Sequence, residues 1–174
     1  NTESKEFVET SANITSDLMK AIFENHSLAI DISALKTSDE YTFKHSVDVA
    51  TLAMIIAKRL GMTSREVYDI GIAGLLHDMG KAQIPNEILN KPGRLTDDEF
   101  QVMKSHSRLG YNILKKRNEF PPMIPVAVLQ HHEKMNGTGY PLKCKADKIV
   151  PFAKILSVAD VYDALVTERP YKKA

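Results

Sequence analysis

The sequence has no tryptophan, one cysteine, no long apolar run and almost no net charge. The lone Cys144 excludes a disulfide within the chain and is typical of a reducing compartment, so we expect a cytoplasmic protein. The longest apolar run, Leu52 to Ala57, is far shorter than the roughly 20 residues of a membrane span, so no membrane contact is predicted. A net charge of +1 gives no general electrostatic reason to expect duplex nucleic acid as a partner.

What is present is typical of a globular helical protein. The chain has 174 residues, of which 43% are hydrophobic and 26% charged, which suits one domain with a sizeable core. Apolar residues recur at helical spacing, and no alternating stretch is long enough to predict a strand. We therefore predict an all-α fold with one helical domain over residues 39–174, preceded by an N-terminal helical segment over residues 1–38.

Local signals set the expected helix boundaries. The periodicity predicts helices over about residues 6–25, 42–60, 63–76, 96–115, 125–132 and 151–167. Thr63 with Glu66, and Thr96 with Glu99, have the spacing of capping boxes that begin helices. Gly61 is placed to end the helix before it.

Seven imidazole and carboxylate side chains are distributed over five of these predicted helices. They are His45, His77, Asp78, His106, His131, His132 and Asp160. Such nitrogen and oxygen donors suit divalent metals such as Mn, Fe, Co, Ni or Zn. A structural zinc takes four ligands, so seven donors exceed the needs of one such site. The set predicts two metal ions side by side, an arrangement that activates water and binds phosphate.

The adjacent donors His77 and Asp78 favour a shared site. Consecutive helical residues point about 100° apart, so one can bind a metal while its neighbour reaches a second, and Asp78 is the expected bridge. Asp160 lies in an apolar run, where either a buried ion pair or a metal would offset the cost of its charge. Lys81 is either an exposed loop lysine or a cation that holds a phosphate oxygen.

Four sequence motifs occur in a fixed order along the chain. They are YTFKHS with His45, HDMGK from His77 to Lys81, HHEKMNGTGYP from His131 to Pro141, and ADVYDALVTERPY with Asp160. Together they resemble the motifs of the HD-GYP family, a branch of the HD phosphohydrolase superfamily. The resemblance covers roughly residues 39–174. It implies a helical domain of the HD phosphohydrolase type, with a metal centre between the core helices.

The resemblance also implies roles for particular residues. The metal ligands would be the seven donors named above, and Asp78 and Lys81 would be the catalytic residues, with Lys81 near the scissile phosphate. The substrate-binding residues would be Lys81, Gly139, Tyr140, Pro141, Arg169 and Lys172. The substrate would be cyclic di-GMP or a related cyclic dinucleotide.

The chain departs from the family pattern at three places. Tyr41 stands where members with three metals have a glutamate, and Glu40 is one position away, so we expect two divalent ions. Fe or Mn is expected first, with Ni, Co and Zn as alternatives. Asn136 replaces the usual aspartate before the signature glycine. The family pattern normally continues beyond Ala174 into further helices.

The main hypothesis is a bacterial signal-transduction enzyme. It would be a metal-dependent phosphodiesterase that hydrolyses cyclic di-GMP to pGpG, GMP or both through a hydroxide activated by two metals. The alternative is a weak or inactive cyclic-dinucleotide receptor, or a partner-docking module, that keeps the metal site. A third reading is a phosphohydrolase for another nucleotide. We also expect an upstream sensor or receiver domain and a homodimer.

Overall fold

The computed structural model describes residues 40–117 and 119–167, together with residues 13, 16–18, 20 and 24. These residues form helices joined by loops, without a β-strand, and an isolated bridge joins Asn136 to Lys145. The all-α prediction is confirmed. No helix in this part of the chain combines the length and apolar character that crossing a bilayer requires. Most of the predicted N-terminal segment lies outside the described residues, so the division at residue 38 stays a prediction.

Within residues 40–167, we number the α-helices in chain order. They are α1 (Glu40–Arg59), α2 (Ser64–Leu76), α3 (Asn86–Leu89), α4 (Asp97–Lys104), α5 (His106–Lys115), α6 (Met123–Gln130) and α7 (Pro151–Val166). Two 3₁₀ turns, Met79–Gln83 and Ala146–Lys148, lie in the connections after α2 and before α7.

The capping residues act as the sequence predicts. The Thr63 hydroxyl accepts a hydrogen bond from the Glu66 amide, and the Glu66 carboxylate accepts one from the Thr63 amide. Thr96 and Glu99 form the same pair at the start of α4. Gly61 has φ +76°, a left-handed conformation that glycine adopts at little cost just after a helix.

One predicted helix is wrong in detail. The single helix expected over about residues 96–115 is interrupted at Ser105, so that α4 and α5 are separate. The Ser105 hydroxyl and amide both donate to the Val102 carbonyl, at 2.6 and 3.0 Å. This local pairing tightens the turn and competes with the regular helical hydrogen bonds. As a result His106 begins a new helix.

The core lies between α1, α2, α6 and α7, with one side of α5 against it. Helices α1 and α2 approach closely at Gly74, where an added Cβ would lie 2.7 Å from the Ala50 Cα. Leu18, from the N-terminal part of the chain, is also buried in this core. The packing brings the polar ends of α2 and α6 to the same place as residues from α1 and α7.

Gly80 lets the 3₁₀ turn after α2 lie directly on the backbone of α5. A Cβ at this position would overlap the His106 carbonyl oxygen and lie 2.6 Å from the Gly110 amide nitrogen. Because these contacts are backbone atoms, they cannot move aside as a flexible side chain would. The turn therefore holds Asp78 and Lys81 against the start of α5.

Candidate metal centre

The structure brings the seven predicted donors together in two neighbouring groups. One consists of Asp78, His106, His131 and His132, and the other of His45, His77 and Asp160. Within each group one nitrogen or oxygen atom of every residue lies within 4.8 Å of those of the others. The residues come from α1, the end of α2, the start of α5, the end of α6, and α7. The expected convergence of five helices on one place is therefore present.

Three of the histidines are oriented by the ends of helices. Each follows the last residue of a helix by one or two positions, and its ring contacts a carbonyl three residues earlier. The pairs are His77 Nδ1 with Gly74 O at 2.6 Å, His106 Nδ1 with Met103 O at 2.7 Å, and His131 Nδ1 with Val128 O at 2.6 Å. A carbonyl only accepts, so Nδ1 carries the proton. Each Nε2 then has a free lone pair, the form that binds a metal.

His45 is oriented by a carboxylate instead. Its Nδ1 lies 2.6 Å from Asp163 Oδ2, and both side chains are buried. The Thr167 hydroxyl donates to the other Asp163 oxygen at 3.0 Å. The opposite ring nitrogen of His45 faces Asp160 at 3.2 Å. A carboxylate behind a metal-binding histidine fixes the ring and increases its basicity.

Asp78 lies between the two groups. Its Oδ1 is 3.3 Å from His106 Nε2, while its Oδ2 is 3.3 Å from His77 Nε2 and 3.9 Å from His45 Nε2. The two oxygens of one carboxylate thus face different sets of histidines. This geometry suits the bridging role expected from the sequence.

Two buried atoms at the centre have no hydrogen-bond partner, namely His77 Nε2 and Asp78 Oδ1. Leaving such groups unpaired costs about 1–3 kcal/mol each. The C-terminal ends of α2 and α6 directly precede His77 and His131, and the negative ends of these helix dipoles favour a cation. A divalent cation would satisfy the lone pairs and the carboxylate together. The residues present therefore fit such an ion.

Burial keeps most of the histidines neutral. It lowers the pKa of His106, and it lowers the pKa of His131 well below the ordinary value, with a further contribution from neighbouring His132. Burial and the nearby His106 lower the pKa of His132 to about 4. These three rings are neutral near pH 7 and have lone pairs for a metal. His77 differs, because the charges of Asp78 and Asp160 outweigh burial and raise its pKa.

The two acids remain ionised although Asp78 is buried and Asp160 is half-buried. Burial alone would raise the pKa of Asp78. The Lys81 ammonium at 2.6 Å and the adjacent His77 have the larger, opposite effect, so the pKa lies well below its ordinary value. For Asp160, the contact with His45 outweighs burial and lowers the pKa. The centre thus presents two carboxylates, with Lys81 beside one of them.

Glu133 organises the loop that follows the paired histidines. Its side chain is buried, and its two oxygens accept hydrogen bonds from three consecutive amides. These are Leu142 N at 2.5 Å, Lys143 N at 3.1 Å and Cys144 N at 3.1 Å. The carboxylate closes the loop from residue 134 to residue 141 into a fixed shape. This role of Glu133 was not predicted from the sequence, although its position directly after the histidine pair was a signal.

The closed loop places Tyr140 against the metal centre. Its ring lies 4.7 Å from the His132 ring, centroid to centroid, with 31° between the planes. Gly139 lies against the backbone of His132 to Lys134, where a Cβ would overlap the Lys134 nitrogen. The Asn136 side-chain oxygen accepts from the Thr138 amide and hydroxyl at 3.0 and 2.7 Å. Asparagine therefore supplies the acceptor that an aspartate oxygen would provide here.

The remaining expected site residues divide into two groups. Lys81 lies at the centre, and the half-buried Pro141 follows Tyr140 in the loop. The expected dinucleotide-binding residues Arg169 and Lys172 lie outside the described residues, as do the side chains of Glu40 and Tyr41. Asp163 was not predicted as a site residue, although its spacing of three residues from Asp160 puts both on one face of α7.

The sequence is similar to known families and proteins. The family model described as HD domain matches residues 28–174. A cyclic di-GMP phosphodiesterase of Pseudomonas aeruginosa is 38% identical over 162 residues, which are 93% of this chain and 39% of that protein. The 3′3′-cGAMP-specific phosphodiesterase 3 of Vibrio cholerae is 39% identical over 77% of this chain and 29% of its own length. The chain thus spans well under half of either relative.

The fold is also similar to that of a solved structure. The Bdellovibrio bacteriovorus protein Bd1817, described as an HDG"Y"P protein, superposes with a TM-score of 0.66 and 24% sequence identity. The match covers 96% of this chain and 54% of that one. At this identity the likeness supports the helical fold.

Replacing Glu133 with Gln should loosen the loop from residue 134 to residue 141. The amide group places a donor where the carboxylate accepts, so at least one charge-assisted hydrogen bond is lost. We expect the free energy of unfolding in urea to fall by about 1.5–3 kcal/mol. Amide exchange at residues 142–144 should become faster. Glu87→Gln, at an exposed position on α3, is the control. Equal stability and exchange in the two variants would contradict this role.

Replacing Asp163 with Asn should weaken metal binding without unfolding the chain. The amide no longer provides a charged acceptor for His45 Nδ1, so the ring is held less firmly. We expect the affinity for Mn²⁺, measured by competition with a chelator, to fall by about 10- to 100-fold. The control is Asp147→Asn, since the Asp147 side chain is 72% exposed. If both variants bound Mn²⁺ as tightly as the unaltered protein, Asp163 would have no positioning role.

Proposed function

The chain belongs to the HD domain family, and we propose that it hydrolyses a phosphodiester bond of cyclic di-GMP to give pGpG, GMP or both. The observation that carries this proposal is the convergence of seven donors from five helices, with Asp78 between the two groups. A paired cation site suits phosphodiester hydrolysis because the reaction needs an activated water and a neutralised phosphate.

The similar proteins support the same class of reaction. The Pseudomonas relative is named for cyclic di-GMP and the Vibrio relative for 3′3′-cGAMP, so both names specify a phosphodiesterase of a cyclic dinucleotide. Because the chain spans 39% of the Pseudomonas protein, the activity of the whole protein is part of this proposal. A sensor or receiver domain, homodimerisation and a cytoplasmic location remain expectations.

We assign two divalent ions to the centre. His106, His131 and His132 would hold one, His45, His77 and Asp160 the other, and Asp78 would contact both. Fe or Mn is expected first, followed by Ni, Co and Zn, because mixed imidazole and carboxylate donors accept all of these. When bound, such ions supply a water of lowered pKa and positive charge for the phosphoryl oxygens.

Lys81 and Tyr140 would act on the substrate. The Lys81 ammonium lies beside Asp78, where it can move to a phosphate oxygen and balance the negative charge that develops during hydrolysis. Burial, with the nearby Asp78 and Asp160 charges, raises the pKa of Tyr140, so its phenol stays protonated and donates a hydrogen bond. Gly139 and Pro141 would shape the loop around the nucleotide, and Arg169 and Lys172 are expected from the sequence to bind the dinucleotide.

Replacing Asp78 with Ala should abolish turnover. The substitution removes the carboxylate that both groups share and the partner of Lys81. We expect at least about a 100-fold loss of kcat, since several kcal/mol of charge stabilisation depend on this centre. The assay incubates metal-loaded protein with cyclic di-GMP and separates pGpG and GMP. The circular dichroism spectrum and the metal content should be measured for each variant together with its rate.

The isosteric variant Asp78→Asn controls for loss of activity through a folding defect, and Asp147→Asn is the matched surface control. If either Asp78 variant kept the unaltered rate at equal metal content, the mechanism would be wrong. Saturable binding of cyclic di-GMP by the unaltered chain without product would favour the receptor alternative. Faster turnover of 3′3′-cGAMP or of a non-cyclic nucleotide would change the assigned substrate.

A further inference from the structure

Lys104, the last residue of α4, contacts two aromatic rings, and one of them lies beside the metal centre. Its Nζ is 4.5 Å from the Phe100 ring centroid and 5.7 Å from that of Tyr140. Phe100 is 46% exposed, and Lys104 is half-buried. Both distances lie within the range of a cation–π contact. The two rings therefore hold the ammonium at a defined place although the region faces solvent.

These contacts position the charge of Lys104 without neutralising it. Two other lysines of the described residues have carboxylate partners, since Lys81 pairs with Asp78 at 2.6 Å and Lys91 with Glu99 at 2.6 Å. Lys104 forms no ion pair with the residues that the structure describes. A fixed ammonium with no acidic partner is suited to binding an anion from solution.

The position of Lys104 relates it directly to the metal centre. The Tyr140 ring that it contacts lies 4.7 Å from the His132 ring and 6.4 Å from the His106 ring. Lys104 also precedes His106 by two residues, and the His106 ring is fixed by its bond to the Met103 carbonyl. The Tyr140 ring thus lies near both the Lys104 ammonium and two of the donor rings.

A cyclic dinucleotide has two phosphates, and only one can be hydrolysed at a time. When the first lies at the seven donors, the second lies close by, on the surrounding rim, because one covalent ring joins the two. We propose that Lys104 binds this second phosphate, with Phe100 and Tyr140 as the positioning residues that hold its ammonium. The assignment takes its substrate class from the function proposed above. It adds a binding residue that none of the sequence motifs contains.

The test compares three variants for KM, kcat and direct binding of cyclic di-GMP. Lys104→Ala should raise KM and Kd by about 10-fold or more, the range expected for loss of a charged hydrogen bond, with metal content unchanged. Lys104→Arg keeps the charge and should stay within about threefold of the unaltered protein. The control is Lys115→Ala, because Lys115 lies 5.4 Å from the Tyr111 ring but outside the site, and it should change nothing.

A second substrate distinguishes binding of the second phosphate from binding of the scissile phosphate. Bis(p-nitrophenyl) phosphate has one phosphate, so its kcat/KM should fall much less in Lys104→Ala than that of cyclic di-GMP. Equal losses on both substrates would place Lys104 at the scissile phosphate and overturn the assignment. The salt dependence of cyclic di-GMP binding should also be weaker in Lys104→Ala, since one charge contact is lost. Identical Kd values in Lys104→Ala and Lys115→Ala would likewise overturn it.

Failure of this inference is distinct from failure of the proposed function. If the unaltered chain binds cyclic di-GMP without cleaving it, hydrolysis is wrong, and the Kd comparison still decides the role of Lys104. If the chain cleaves cyclic di-GMP and Lys104→Ala behaves as the control does, hydrolysis stands and the inference is wrong. If the chain neither binds nor cleaves cyclic di-GMP, both the proposed hydrolysis and the role of Lys104 are wrong.

Discussion

The metal centre depends on the carbonyl groups that helices leave unpaired at their C-terminal ends. The last four carbonyls of a helix have no partner within it. At the ends of α2, α4 and α6, one of these carbonyls accepts the Nδ1 proton of a histidine that follows the helix. The same hydrogen bond satisfies the backbone, selects the tautomer and directs Nε2 inward. The same type of hydrogen bond at the ends of three helices thus orients three imidazoles for metal binding.

This arrangement explains why the interior of the protein contains so many polar groups. Buried imidazole nitrogens and a buried carboxylate would be costly without partners. The negative ends of α2 and α6 and two carboxylates create a place that favours positive charge. In the structure, the Lys81 ammonium provides part of that charge at Asp78. Divalent ions would provide the remainder, so the same groups serve stability and chemistry.

Residue chemistry and spacing were sufficient to predict much of this molecule. The capping residues Thr63 and Thr96 act locally, so their roles are visible in four-residue patterns. The donors were recognisable because imidazole and carboxylate groups are unusual in apolar helices. Their number, and the position of several of them at helix ends, predicted that the helices converge on one site, where most of the donors are buried.

The supporting contacts could not be predicted in the same way. His45 and Asp163 are 118 positions apart, and their contact exists only once α1 and α7 pack together. Glu133 and Lys104 act through backbone amides and ring faces, which leave little trace in a sequence pattern. The break at Ser105 depends on competition between a side chain and the helix for the same carbonyl. Each feature that the sequence did not predict is therefore a tertiary contact or a balance between two local structures.

The number of ions that the chain binds tests the central claim most directly. The chelator-treated protein would be loaded with Mn²⁺ or Fe²⁺, passed through a desalting column and analysed for metal by elemental analysis. Two groups of donors that share Asp78 should retain about two ions per chain. Retention of one ion or none at saturating metal would contradict a paired centre and the mechanism built on it.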